Sequence, residues 1–345
     1  MKTLQFVVDP KNIATADAVK AVDEAAAILR SGGLVALPTE TVYGLGANAF
    51  DAAAVASIFA AKQRPAWDPV IVHISDLSML DGLVKEIPDA ARKLMQAYWP
   101  GPLTLLLPRT SAVPDAVTAG RPLVGIRMPA HPVALALVRR AGVPVAAPSA
   151  NLFGHISPTT AAHVLADLDG AIDAIVDAGP TEHGVESTVL DPLQTPMMIY
   201  RPGAITSVQI RSTAGAVEVY QDRAPLQSKP GAAMPSPGIG LRHYAPRARL
   251  ILIDCPPDEL TSRLAEETLS RPDERIGIMR SGQIAAPASA AAVFDWGCTS
   301  EEMAHALYAG LRALDDAGCT VILCPLPPAE GIGAAIRDRL RRAAA

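Results

Sequence analysis

Aromatic residues make up only 4% of this 345-residue chain. A core must therefore be assembled from Ala, Val, Leu and Ile, and serial platforms for stacking nucleobases are excluded. Positive charge is not in excess either: 30 Lys and Arg stand against 35 Asp and Glu, a formal charge of −5. That balance leaves no electrostatic footprint for non-specific nucleic-acid binding. The cysteines are few. Cys255, Cys298, Cys319 and Cys324 all lie in the last third and none forms a CxxC pair, which points to reduced thiols and a cytoplasmic location. No apolar run reaches the ~18 residues that span a bilayer, and the opening decapeptide, with Lys2 and Asp9 around a short apolar stretch, is no secretory leader.

Familiar catalytic signatures are missing as well. There is no GxxxxGK[ST], HExxH or GxSxG, so a P-loop NTPase, a zincin and a serine-elbow hydrolase are excluded. The seven histidines are scattered, which leaves any metal ligands of the chain unassigned. Gly44-x-Gly46-x-x-Ala49, with Asp68 roughly twenty residues on, has the spacing of a dinucleotide fingerprint. Its position argues otherwise. Pro38 to Tyr43 separate the first glycine from the preceding strand, and Asp68 precedes the next strand instead of ending it.

What is present is a globular composition, 50% hydrophobic and 19% charged, long enough for two domains at ~150 residues each. Proline is frequent, 31 of 345 or about 9% against a usual ~5%, and mostly flanks apolar runs as a loop rigidifier. Apolar periodicity predicts helices over 18–29, 52–62, 89–98 and 131–140. Strands are predicted at 34–37, 70–74, 103–107, 123–126, 143–147, 174–177, 187–190 and 197–200, a sheet of mixed directions. Ser157-Pro158 reads as a helix start. Residues 222–240 are rich in Pro, Gly, Ser and Ala without periodicity and read as a linker; strand–helix alternation then resumes. The expected division is 1–210, a linker over 211–246, and a small α/β domain over 247–345.

Polar residues gather where apolar strands end. Pro38-Thr39-Glu40-Thr41-Val42-Tyr43-Gly44 follows one strand and Pro148-Ser149-Ala150-Asn151 another, each readable as an ordinary turn or as part of a ligand edge. Lys62-x-Arg64 closes a helix, where cations complement the macrodipole or hold a polyphosphate. His73 sits inside an apolar strand, as a satisfied core residue or a ligand contact. Arg127 ends another, where an unpaired guanidinium is costly and needs an anion. Ser157 caps a helix or offers its N–H groups to an anion. Gly184-Val185-Glu186-Ser187-Thr188 and Tyr200-Arg201-Pro202-Gly203 add hydroxyls and another guanidinium. Together these cations and hydroxyls suit a nucleoside triphosphate plus a small carboxylate, with no obvious nucleophile.

The run Pro38 to Gly46, Lys62-x-Arg64 paired with Ser149-x-Asn151, Ser157-Pro158-Thr159, Gly184 to Thr188 and Arg201-Pro202-Gly203 resembles, in order, the motifs of the YrdC-like family. Ser236-Pro237-Gly238, His243-Tyr244-Ala245-Pro246 and Gly331 to Ala335 resemble its long, two-domain form. The resemblance implies a twisted open mixed α/β sheet followed by a small Rossmann-like domain, with the linker covering the pocket. It implies formation of L-threonylcarbamoyladenylate and pyrophosphate from L-threonine, bicarbonate and ATP with Mg²⁺, by a nucleotidyltransferase. Downstream proteins then pass the threonylcarbamoyl group to tRNA, with direct tRNA binding weak or absent.

By the same resemblance Lys62 and Arg64 serve catalysis, and ATP is held by them with Asp68, Thr118, Ser149, Asn151, Ser157, Arg201 and Tyr244. Threonine is held by Thr39 or Thr41, with His73, Arg127, Ala147 and Ser187. Asp68 departs from the Asn common in the family, and in Gly238-Ile239-Gly240-Leu241-Arg242 the residues 239–241 include none of the usual aromatic and basic ones. A tRNA-binding module is the rival reading. A protein-directed carbamoyltransferase would carry Cys-rich zinc segments, which this chain lacks.

Overall fold

The computed structural model describes residues 2–221, 234, 236, 243–282 and 284–345. These fall into two units. The first holds the chain up to Phe153, then Ser157–Glu182 and Glu186 to the linker; the second holds Gly154–Ile156, His183–Val185 and the chain after the linker.

The first unit is built on one mixed sheet. Its described strands are β1 (Leu4–Val7), β2 (Val35–Pro38), β3 (Tyr43–Asn48), β4 (Ile71–His73), β5 (Leu103–Pro108), β6 (Leu123–Arg127), β7 (Val145–Ala146), β8 (Ala174–Asp177), β9 (Thr188–Asp191), β10 (Met197–Arg201) and β11 (Val217–Val219). They lie in the order β1-β8-β2-β3-β7-β4-β6-β5-β9-β10-β11. The helices are α1 (Ala16–Arg30), α2 (Ala52–Lys62), α3 (Asp89–Tyr98), α4 (Asp115–Thr118), α5 (Pro132–Ala141), α6 (Ala161–Leu168) and α7 (Ser207–Ala214).

The apolar run at residues 34–37 is continuous because both faces of β2 are covered: Leu34 and Ala36 join one core, Val35 and Leu37 the other. The second core is closed by α1 and α5 through Val22, Ala25, Ala26, Leu29, Leu137 and Val138. Alanines at the contact let these helices lie close to the sheet, which is how an aromatic-poor chain fills its interior. Thr15 caps α1 by accepting from the Ala18 N–H, and Asp51 caps α2 by accepting from Ala53 and Ala54. At the other end of α2, Gln63 takes the left-handed conformation (φ 51°), so Arg64 leaves the helix axis.

Residues 43–48, to which the sequence reading gives no element, are β3, paired antiparallel with β2 from Pro38↔Tyr43 to Val35↔Gly46, which places the glycine pair inside a sheet and is at odds with the dinucleotide spacing. Two sequence expectations are corrected. No helix starts at Ser157: the cap of α6 is Thr160, whose side chain accepts from the His163 N–H, and the Ser157 hydroxyl donates to Glu186 instead. Residues 207–219, partly assigned to the linker, form α7 and β11, and β11 pairs in parallel with β10. Thr206 and Gln209 close α7 with a reciprocal capping box.

Among the described residues the second unit has four parallel strands, β12 (Arg249–Ile253), β13 (Ile276–Arg280), β14 (Ala292–Asp295) and β15 (Val321–Pro325), in the order β12-β15-β13-β14. Among the described residues α8 (Leu260–Leu269) follows β12, β14 follows β13 directly, and α9 (Ser300–Asp316) and α10 (Gly333–Ala344) flank β15. This is the small α/β domain that the alternation predicts. Among the described residues no helix is long and apolar enough to cross a membrane.

Candidate active site

Thr39 to Val42 form the loop of the β2–β3 hairpin. The Thr39 hydroxyl donates to the Val42 carbonyl (2.6 Å) and accepts from the backbone N–H groups of Thr41 and Val42. Its only proton is thereby used, so in the 2.8 Å contact between the two hydroxyls Thr41 is the donor. Thr41 in turn accepts from Arg127 Nη1 at 2.9 Å. Between the expected alternatives, Thr41 therefore touches the arginine and Thr39 stands behind it.

Arg127 ends β6 and is buried. Its Nε donates to the Gly101 carbonyl (3.2 Å), and its Nη2 lies 2.6 Å from Glu40 Oε1. Glu40, within the first motif but not named as a site residue, is thus the anion that Arg127 required. Burial opposes ionisation of Glu40, but the Arg127 charge beside it outweighs that, so its pKa lies below the usual value. His73 pairs with Arg127 across the parallel β4–β6 ladder. Burial first, and then the Arg127 charge, drops the His73 pKa to about 3, so the imidazole is neutral near pH 7.

The segment after β7 runs along β3. Leu45 N–H donates to the Pro148 carbonyl (2.7 Å), and Ala150 N–H to the Tyr43 carbonyl (2.8 Å); Ala147 N–H donates to the Ile71 carbonyl. Lys62, at the end of α2, reaches this segment: its ammonium donates to the carbonyls of Ser149 and Asn151, with Asn151 Oδ1 at 3.5 Å. Burial and then the nearby Arg64 work against its charge and lower its pKa, while the carbonyls hold its protons. Lys62 is thereby a strut between two of the expected ATP motifs.

Arg64 wraps the chain that follows it. Its Nε donates to the Asp68 carbonyl (3.2 Å), and Nη2 bonds the Pro69 carbonyl (2.7 Å) and pairs with Asp68 Oδ2 (2.9 Å). Nη1 carries no hydrogen bond among the described residues. Thr118, in α4, is brought beside this loop by the bond from the Val70 N–H to the Val117 carbonyl (2.9 Å), and its buried hydroxyl has no hydrogen bond among the described residues. From the linker, the Met234 N–H donates to the Trp67 carbonyl (3.1 Å).

On the other side of β6, Ser187 precedes β9. Its hydroxyl lies 2.8 Å from Thr104 Oγ1 and 3.1 Å from Arg201 Nη2, and Arg201 Nε donates to the Ser187 carbonyl (3.0 Å). Leu105 pairs with Ile126, and continuing that antiparallel register sets Thr104 beside Arg127. Thr104 and Glu186 carried no signal as isolated residues; Glu186, 2.6 Å from Ser157, lies within a quoted motif. The sheet thus brings together Thr39, Thr41, His73, Arg127, Ala147, Lys62, Ser149, Asn151, Ser187 and Arg201. Tyr244 belongs to the second unit, at φ 64°, stacked on Tyr308 (5.9 Å between centroids) with Arg339 over its ring (5.3 Å). The linker stretches 222–233 and 237–242 lie outside the described residues.

Comparison with known proteins converges on one family. Residues 27–203 match the Sua5/YciO/YrdC family, described as "Telomere recombination", and residues 205–345 match "Threonylcarbamoyl-AMP synthase, C-terminal domain". The threonylcarbamoyl-AMP synthase of Pyrococcus abyssi is 43% identical over 92% of each chain, and that of Bacillus subtilis 43% identical over 100% of this chain and 98% of the relative. The crystal structure of P. abyssi Sua5 complexed with L-threonine superposes with a TM-score of 0.90 at 39% identity, covering 99% of this chain and 98% of that one. With both domains matched in order and a curated relative aligned from end to end, the chain belongs to the two-domain threonylcarbamoyl-AMP synthase family.

Proposed function

We propose that the chain catalyses formation of L-threonylcarbamoyladenylate and pyrophosphate from L-threonine, bicarbonate and ATP, acting as a nucleotidyltransferase. The observation that carries this reading is Arg127: a buried guanidinium, clamped by Thr41 and Glu40 beside a neutral His73, in a chain whose structural relative binds L-threonine. Arg127 Nε and Nη1 each donate one hydrogen bond within the protein and Nη2 faces Glu40, so N–H groups on both terminal nitrogens stay available for the two oxygens of a substrate carboxylate.

The chemistry needs no protein nucleophile. The threonine amine and bicarbonate give a carbamate with loss of water. A carbamate oxygen then bonds the α-phosphorus of ATP as the bond to pyrophosphate breaks. The protein positions the two partners and balances charge, which is what phosphoryl-type transfer chiefly requires. On this reading Thr41, His73, Arg127, Ala147 and Ser187 receive threonine, with Thr39 fixing Thr41. Arg64 through Nη1, Arg201, Thr118, Ser149, Asn151 and Ser157 receive the nucleotide, and Lys62 holds the 149–151 backbone for it. Mg²⁺ accompanies the triphosphate. Among the described residues no group of three or more His, Cys, Asp or Glu gathers to hold an ion, so no step is assigned to the metal.

We place the protein in the cytoplasm, upstream of proteins that transfer the threonylcarbamoyl group to tRNA, without tight tRNA binding of its own. The expected result is pyrophosphate release from ATP that depends on both threonine and bicarbonate; turnover indifferent to threonine refutes the reading. Arg127→Ala should raise the KM for threonine far more than that for ATP. Tight tRNA binding with a steep salt slope would instead favour an RNA-binding module.

A further inference from the structure

We propose that Glu40 sets the charge class of the amino-acid pocket, making it select a zwitterion over a plain carboxylate. This rests on the threonine site proposed above and names what discriminates within it. Glu40 and Arg127 are 3% and 4% exposed in their side chains and 2.6 Å apart, so the guanidinium meets the substrate already neutralised. The imidazoles beside this pair add no charge, and the Arg201 cation stands beyond them, on Ser187. His73, next to Arg127 in the β4–β6 register, is neutral, and His131 is held at the start of α5, its Nδ1 accepting from the Val133 N–H while burial lowers its pKa.

A buried ion pair of zero net charge gives no compensation to a ligand that brings net charge against it, because that charge leaves water unmatched. A zwitterion brings none. Its carboxylate meets the remaining Arg127 N–H pair, while the Glu40 carboxylate supplies the negative potential that its α-ammonium requires. Des-amino threonine keeps the carboxylate and loses the matching positive end; threonine amide keeps only the positive end. An Arg127 without Glu40 would favour the des-amino acid. Glu40 therefore acts on specificity through Arg127 and through its own field.

The test is calorimetric titration of the full-length protein with L-threonine, stereochemically matched 3-hydroxybutyrate and L-threonine amide. A unit charge unmatched at about 6 Å in an effective dielectric near 20 predicts a preference for threonine of at least about tenfold over either analogue. In Glu40→Gln the preference over 3-hydroxybutyrate should collapse to within about threefold or invert, and Glu40→Asp should retain it. Equal binding of threonine and 3-hydroxybutyrate by the unmodified protein overturns the inference, as does a folded, ATP-binding Glu40→Gln with the original preference. The ligand series on the unmodified protein decides the charge balance even if Glu40→Gln does not fold. Binding of ATP with no binding of any of the three ligands overturns the threonine site itself, and this inference with it.

Discussion

Asp68→Asn should move stability and nucleotide affinity in opposite directions. Asp68 Oδ2 lies 2.9 Å from Arg64 Nη2, with side-chain exposures of 1% and 4%. At a charge separation near 4 Å and an effective dielectric of about 20, the attraction is about 4 kcal/mol before the cost of burying the carboxylate is deducted. The amide keeps an acceptor for Nη2, and the Asp68 and Pro69 carbonyls still hold the guanidinium. The net loss should therefore be about 1–3 kcal/mol, a fall in Tm of roughly 3–10 °C for a unit of this size. The ligand sees the opposite effect. A phosphate oxygen on Arg64 Nη1 would sit roughly 6–7 Å from the carboxylate, across the guanidinium. Each of its unit charges is then opposed by about 2.5 kcal/mol before solvent screening, and about half that after it. Removing the carboxylate should tighten ATP about tenfold. Thermal melting and ATP titration of the same preparation measure both. Weaker ATP binding would show that Asp68 serves the nucleotide directly, and an unchanged Tm would refute the ion pair as a source of stability.

Two further outcomes follow from the geometry. A Cβ at Gly203 would lie 2.3 Å from the Thr188 nitrogen and 2.7 Å from the Glu186 carbonyl oxygen, so Gly203→Ala must displace the backbone around Ser187 and should cost about 3 kcal/mol, read by urea denaturation. Wild-type stability in the variant would mean that the Arg201-Pro202-Gly203 turn is not packed as described. His73 is neutral in the folded protein down to about pH 3 but takes up a proton near pH 6.5 when unfolded, so the unfolded state binds more protons between these values. Stability should fall as pH drops from about 6.5 toward 3, by up to about 1.4 kcal/mol per pH unit from this group, and His73→Gln should flatten that slope. Equal slopes in both proteins would refute the burial of a neutral imidazole.

Much of the scaffold was legible because its signals are local. The 52–62 and 89–98 helices, the 174–177 strand and the mixed directions of the sheet follow from apolar periodicity bounded by capping residues and prolines. The errors fell where partners distant in sequence decide. Tyr43–Asn48, with two glycines, has weak strand propensity and is a strand because β2 and the segment after β7 bond it on either side. Ser157 has the residue type of a cap, but Glu186, 29 positions on, takes its hydroxyl.

At the site, the sequence by itself determined which side chains stand at strand ends and that Arg127, after an apolar strand, must meet an anion. It also carried the ordered motifs that place the chain in its family. Only the tertiary structure decided how those groups are paired: Arg127 with Glu40, Arg64 with Asp68, Lys62 with two backbone carbonyls, Arg201 with Ser187. The physical reason is that burial makes an unpartnered charge costly, so each cation finds the nearest acceptor in space. Nearness in space is set by the register of strands dozens of residues apart, which a list of residue types does not contain.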